Sequence, residues 1–131
     1  MRWLVLAAPL LSGCILGALS DSGRDCPAGE PLDDGFRVAV PATVGEGRDE
    51  VRTHGYCVSV RAADGDGETT RSVRDGVAWL PADGAGTYRF ILSIRQPGDP
   101  YCAYWLEAEA EHPGTGVVEV ALSHDGVSVC A

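Results

Sequence analysis

The chain has no lysine and no asparagine, and all ten of its basic residues are arginine. Without lysine there is no Schiff-base nucleophile, and without asparagine there is no acceptor for Asn-linked glycosylation. Positive charge is scarce: ten basic side chains face nineteen acidic ones, for a formal net charge of −9. That balance excludes a nucleic-acid binder and electrostatic attachment to anionic lipid head groups. No apolar run is long enough for a membrane-spanning helix, no helical hydrophobic period is convincing, and there is no internal repeat. No Cys-x-x-Cys pair exists, which argues against structural zinc, and no phosphate-binding glycine loop is present. What is abundant is glycine, at 17, with 8 prolines, in a chain of 131 residues. One domain with many turns between short strands fits that composition.

The N-terminus supplies an address. Met1-Arg2 is a minimal positive region, Trp3 to Leu10 is an apolar stretch of signal-peptide length, and Leu11-Ser12-Gly13-Cys14 follows. These four residues resemble the lipobox of bacterial lipoproteins. The resemblance implies a signal peptide over 1–13, diacylglycerol on the Cys14 thiol, and attachment of the protein to a membrane through that residue. Ile15 rather than aspartate after the cysteine fits release to an outer membrane, on its periplasmic face or at the cell surface. Ile15, Leu16, Ala18 and Leu19 keep the chain apolar past the cysteine, so Ala18-Leu19-Ser20 offers a second cleavage point. A soluble secreted protein starting near Asp21 would result. In both cases the product is exported.

Cys26, Cys57, Cys102 and Cys130 are then the unmodified thiols, an even number in an oxidising compartment. Two disulfides are expected, with three connectivities open. Residues 14–35 are small, polar and acidic and read as a lipidated N-terminus and flexible tether, pinned at its middle by Cys26. The remaining 36–131 read as one domain.

Within that domain, Phe36 to Val40 is the first strand and Pro41 to Glu50 a loop. Tyr56, Val58 and Val60 alternate with Cys57, Ser59 and Arg61, the period of a half-buried strand. Asp64 to Arg74 is a polar loop or weak edge strand, and Val77 to Leu80 is a short strand. In Thr87 to Arg95, residues Tyr88, Phe90, Leu92 and Ile94 share one face. In Tyr101 to Glu111, residues Cys102, Tyr104, Leu106, Ala108 and Ala110 do the same, opposite Trp105, Glu107, Glu109 and Glu111. Pairing Arg95 with Tyr101 sets Phe90 beside Leu106, Ile91 beside Trp105 and Arg89 beside Glu107, apolar against apolar and charge against countercharge. Val118, Val120 and Leu122 continue the apolar face, and Val127 to Cys130 ends the chain. Seven or eight short strands indicate an all-β fold, a single two-sheet antiparallel β-sandwich.

Asp83-Gly84-Ala85-Gly86-Thr87-Tyr88 resembles the tyrosine corner of immunoglobulin-like domains, which implies a Tyr88 hydroxyl returning to the backbone. Phe90 stands where those domains carry a cysteine. Leu80-Pro81 ahead of Gly86-Thr87-Tyr88 is similar to the prealbumin-like type of bacterial surface sandwich. Both resemblances imply architecture and no activity.

Candidate chemistry is sparse. Ser123-His124-Asp125 has the residue types of a hydrolase triad, but sequence neighbours cannot converge as nucleophile, base and orienter; a turn is expected there. Asp64, Asp66 and Glu68 alternate like calcium ligands, yet Thr69 and Asp75 stand where an EF-hand needs glycine and glutamate. A solvated loop tip is the preferred reading, and no cofactor is expected. His54 and His112 fall in expected turns without ligand partners. Trp105, Glu107, Glu109 and Glu111, with Glu119 on the following strand, form a candidate partner surface for a basic partner or cell-wall component. Its competing reading is a charged face that prevents aggregation. The sequence therefore points to a non-catalytic, monomeric envelope binding or structural module, with a soluble secreted accessory protein as first alternative and a small hydrolase as the disfavoured second.

Overall fold

A computed structural model describes residues 22–99, 101–123 and 128–130. The described chain is nearly all β. Its strands are β1 (Gly35–Ala39), β2 (Thr43–Val44), β3 (Val51–Arg52), β4 (Cys57–Ala62) and β5 (Glu68–Ser72), then β6 (Val77–Leu80), β7 (Gly86–Arg95), β8 (Cys102–His112), β9 (Val117–Ala121) and β10 (Ser128–Cys130). A single 3-10 turn covers Gly47–Asp49. The strands form a three-stranded sheet of order β6-β1-β9, a five-stranded sheet of order β10-β8-β7-β4-β5, and the small β2-β3 pair.

Ten strands rather than seven or eight arise because β2 forms inside the expected loop from Pro41 to Glu50 and β3 directly after it; β5 is the edge strand that the polar stretch from Asp64 to Arg74 offered as one of its two readings. One pairing is parallel: β1 runs alongside β9, with Val38 opposite Val120. Direction is forced to be antiparallel only between strands joined by a tight turn. No such turn joins β1 and β9, so the sequence carries no signal for it.

Residues from both larger sheets fill one hydrophobic core. Phe36 and Val38 of β1 and Leu80 of β6 are buried with Val58, Phe90, Leu92 and Leu106 of the five-stranded sheet. The alternation along each strand explains this, since every second side chain of β4, β7 and β8 points to the core and the others point outward, although Cys57, Ser93 and Ala103 on the outward parity are buried as well.

The β7–β8 hairpin forms, but two residues away from the expected register. Arg95 pairs with Ala103, Leu92 with Leu106 and Phe90 with Ala108. A shift of two preserves both faces, so hydrophobic patterning cannot oppose it. The loop decides it. Gln96 N–H bonds to the Cys102 carbonyl, and Asp99 N–H returns to Gln96 O, so the connection is two residues longer than a pairing of Arg95 with Tyr101 allows. Arg89 still reaches Glu107, now as a diagonal neighbour, with Nη2–Oε2 at 2.8 Å.

From Ser22 onward, the stretch read as tether is laid against the domain. Ser22 N–H bonds to Ser93 O and its Oγ accepts from Ser93 N–H, while Cys57 N–H bonds to Gly23 O. The segment thus stands between the ends of β4 and β7. Cys26 is disulfide-bonded to Cys57. Pro27 O then accepts from Ser72 N–H, and Ala28 bridges Ser72 in parallel, which covers part of the β5 edge. The second disulfide joins Cys102 to Cys130, opposite each other on β8 and β10.

Tyr88 makes the corner its sequence context implied. Its hydroxyl accepts from Asp83 N–H at 2.9 Å and donates to Gly84 O at 2.8 Å, with the ring buried. Tyr88→Phe is expected to cost about 1–2 kcal/mol in urea denaturation, because Asp83 N–H and Gly84 O lose a shared partner.

His112 is not in a turn. It ends β8, is 3% exposed, and its ring stacks edge-on against Phe36 at 5.0 Å. Gly114 N–H donates to Nδ1, so the proton sits on Nε2, which faces Gly35 O at 3.1 Å and Gly116 O at 2.9 Å. Asp34 Oδ1 accepts from Gly116 N–H. The ring therefore fastens the β8–β9 turn to the start of β1.

At the opposite end of β8, the Tyr104 hydroxyl donates to Asp49 O at 2.9 Å. Gly45, at φ +83°, leaves space for it, since a Cβ there would come within 2.5 Å of that hydroxyl. Burial pushes the Tyr104 phenol above the ordinary tyrosine value, and the Asp49 carboxylate adds to the rise. The neutral phenol is the stabilising form. Its contribution is complete below the unfolded pKa of about 10 and is lost as pH rises through the folded value. Denaturation midpoints are expected to fall above about pH 10, and less steeply in Tyr104→Phe.

Candidate functional site

The outward face of the five-stranded sheet gathers the exposed chemistry of the described residues. Trp105, Glu107, Glu109 and Glu111 project from alternate positions of β8, all exposed, Trp105 by 37%. Cross-strand partners form rows. One row runs Thr70, Ser59, Ile91, Glu107, and the next runs Glu68, Arg61, Arg89, Glu109. Trp105 lies opposite Ser93.

The second row sets two arginines directly opposite each other, an arrangement that costs stability unless each finds a countercharge. Both do. Arg61 Nη2 is 3.9 Å from Glu68 Oε2, and Arg89 turns diagonally to Glu107, with Nε–Oε2 at 2.9 Å. Arg89 is thereby drawn off Glu109, its direct partner. The carboxylates of Glu109 and Glu111 have no ion pair or hydrogen bond among the described residues. A depression of about 420 Å3 opens on this face, walled by Trp105, Ile91, Ser59, Arg61, Arg89 and Glu109.

Glu119 is not part of this group. Its strand, β9, pairs with β1 in the other sheet, and Glu119 binds Arg37 Nη1 at 3.0 Å. The strand that follows β8 in sequence was expected beside it, whereas the chain changes sheets at the His112 turn. It returns to β8 only at the Ser123–Glu107 bridge. Arg61, Ser59 and Glu68 were absent from the expected surface, because β4 gives no sign of which strands flank it. The alternation of Ser59 and Arg61 with Val58 and Val60 was the available signal.

Asp64 and Asp66 lie in the exposed loop between β4 and β5, and Glu68 opens β5, committed to Arg61. Among the described residues no group of three or more His, Cys, Asp or Glu is placed to hold a metal ion. Both His112 nitrogens are held by backbone groups. His54 sits in a turn beside an apolar depression that also includes Arg52 and Asp75. Cys14, the alternative cleavage point at Ser20, and His124 and Asp125 lie outside the described residues. Among those described, no helix is long and apolar enough to cross a membrane. No protein-family model matches the chain, and neither a curated protein nor a solved structure does.

Proposed function

We propose that this protein is an exported, non-catalytic lipoprotein: a disulfide-stapled β-sandwich, held to a bacterial membrane by Cys14, that presents the outward face of its five-stranded sheet to another envelope component. The observation that carries the reading is Trp105, exposed on the same outward face of β8 as Glu109 and Glu111, whose carboxylates have no partner among the described residues. A face that merely resists aggregation needs charge, but not a large aromatic ring in its midst. The groups on it are read as a contact surface and not a reaction centre, since among the described residues no nucleophile with its base is assembled there.

The anchor and the fold constrain one another. Ser22 is already bonded to the sheet, so only residues 15–21 separate a lipidated Cys14 from the folded domain. Fully extended, they reach at most about 30 Å. The domain works close to the membrane surface. The apolar residues after Cys14 favour one alternative, cleavage near Ser20 and release of a soluble accessory protein; N-terminal mass spectrometry of the protein from cells separates them. Diacylglycerol on Cys14 supports the anchor, and a start near Asp21 removes it.

For the surface itself, a photo-crosslinking residue at Glu111 is expected to trap an envelope component in intact cells, and the same residue at Glu119 is not. Equal trapping at both positions, or none at either, would reject the face.

A further inference from the structure

We infer that the depression beside Trp105 is a binding site for an uncharged glycan, seated as an extended chain of hexopyranose units across β4, β7 and β8. This rests on the outward face being a contact surface, and it names what that surface contacts.

The chemistry of the wall selects the ligand. Trp105 and Ile91 supply apolar area, which suits the C–H faces of a pyranose ring. Around them stand donors and acceptors in balance: the guanidinium groups of Arg61 and Arg89, the carboxylates of Glu68 and Glu109, and the Ser59 hydroxyl. Vicinal hydroxyls on a sugar both donate and accept, so they complement a carboxylate and a guanidinium at once. A polyanion would meet Glu68, Glu107 and Glu109, and a polycation would meet Arg61 and Arg89 side by side. The ion pairs cancel most of the local field and leave a polar, nearly neutral floor. The Glu109 carboxylate and the Ser59 hydroxyl have no hydrogen-bond partner among the described residues, so their capacity is available without breaking the sheet. A volume of about 420 Å3 falls within the range of small-molecule sites, about 300–1,000 Å3.

The test uses the full mature chain in native affinity gels cast with hydroxyethylcellulose, glucomannan or glycol chitin, and titration calorimetry with the matching oligosaccharides. Polygalacturonate and a lysine-rich peptide serve as the charged probes. Retardation by at least one neutral polysaccharide is expected, with affinity lost about tenfold or more in Trp105→Ala. Glu109→Gln, an exposed change that leaves the fold intact, is expected to weaken binding severalfold, and Glu119→Gln to leave it unchanged. Absence of retardation in all three neutral gels overturns the inference, as does retardation that survives both Trp105→Ala and Glu109→Gln. Binding only to polygalacturonate or to the peptide also overturns it, while the crosslink from position 111 would still support a contact surface of another specificity. Loss of that crosslink as well would remove both.

Discussion

Replacing Cys26 and Cys57 together by alanine is expected to destabilise the protein by about 3–4 kcal/mol, lowering Tm by on the order of 15–25 °C. The bridge spans 31 residues of sequence, and the denatured chain gains the freedom that this loop closure removes. Cys102–Cys130 spans 28 residues, so loop length alone assigns it a similar cost. What distinguishes the two is where the structure opens. Cys26 holds the segment that satisfies Cys57 N–H through Gly23 O, Ser72 N–H through Pro27 O, and Ser93 N–H through the Ser22 hydroxyl. Native-state hydrogen exchange should show those three amides losing protection in the Cys26/Cys57 variant and keeping it in the Cys102/Cys130 variant. Exposure of the same amides by loss of either bridge would mean that the N-terminal segment is not held by Cys26. Stability curves in urea supply the global term, and the three amides supply the local one.

That segment also shows where sequence patterning stops being informative. Four cysteines allow three connectivities, and spacing carries no preference among them. The pairing follows from Gly23 standing between β4 and β7, a placement made by backbone hydrogen bonds that leave no trace in side-chain type. The same limit explains the hairpin. Tyr88, Phe90, Leu92 and Ile94 identify the buried face of β7 correctly, since period two depends only on parity. Register depends on the loop from Gln96 to Tyr101, and a displacement by two residues leaves parity untouched.

The partner surface divides along the same line. Trp105, Glu107, Glu109 and Glu111 were legible together because a single strand carries them. Glu119 was misplaced because its neighbour is β1, more than eighty residues away, where Arg37 meets it. Arg61 and Ser59 joined the site through pairing of β4 with β7, again a relation between distant segments. The Pro113-Gly114 that follows His112 signals a turn at that residue. The turn is there, but the ring folds back inside it and turns its polar atoms to three backbone groups.

Phe36→Ala is expected to cost about 3–5 kcal/mol, and it tests whether the two larger sheets share one core. Phe36 is fully buried on β1 in the three-stranded sheet, yet its ring meets Phe90 at 4.7 Å and Tyr88 at 5.1 Å, both on β7 of the other sheet. It also meets His112, which fastens the β8–β9 turn. Truncation removes the transfer energy of the ring and leaves a cavity between sheets whose hydrogen bonds lie within each sheet, so neither can collapse far to fill it. Phe36→Leu keeps most of the volume and should cost no more than about 1.5 kcal/mol. Tyr88→Phe provides the coupling measurement. If Phe36 positions the Tyr88 ring for its bonds to Asp83 and Gly84, the double variant should be less destabilised than the sum of the single ones, by roughly 0.5–1.5 kcal/mol. Strict additivity would place the Tyr88 corner outside the influence of β1. A loss below about 1 kcal/mol for Phe36→Ala would contradict a shared core altogether, because a ring buried between two sheets cannot be removed at the cost of a surface residue.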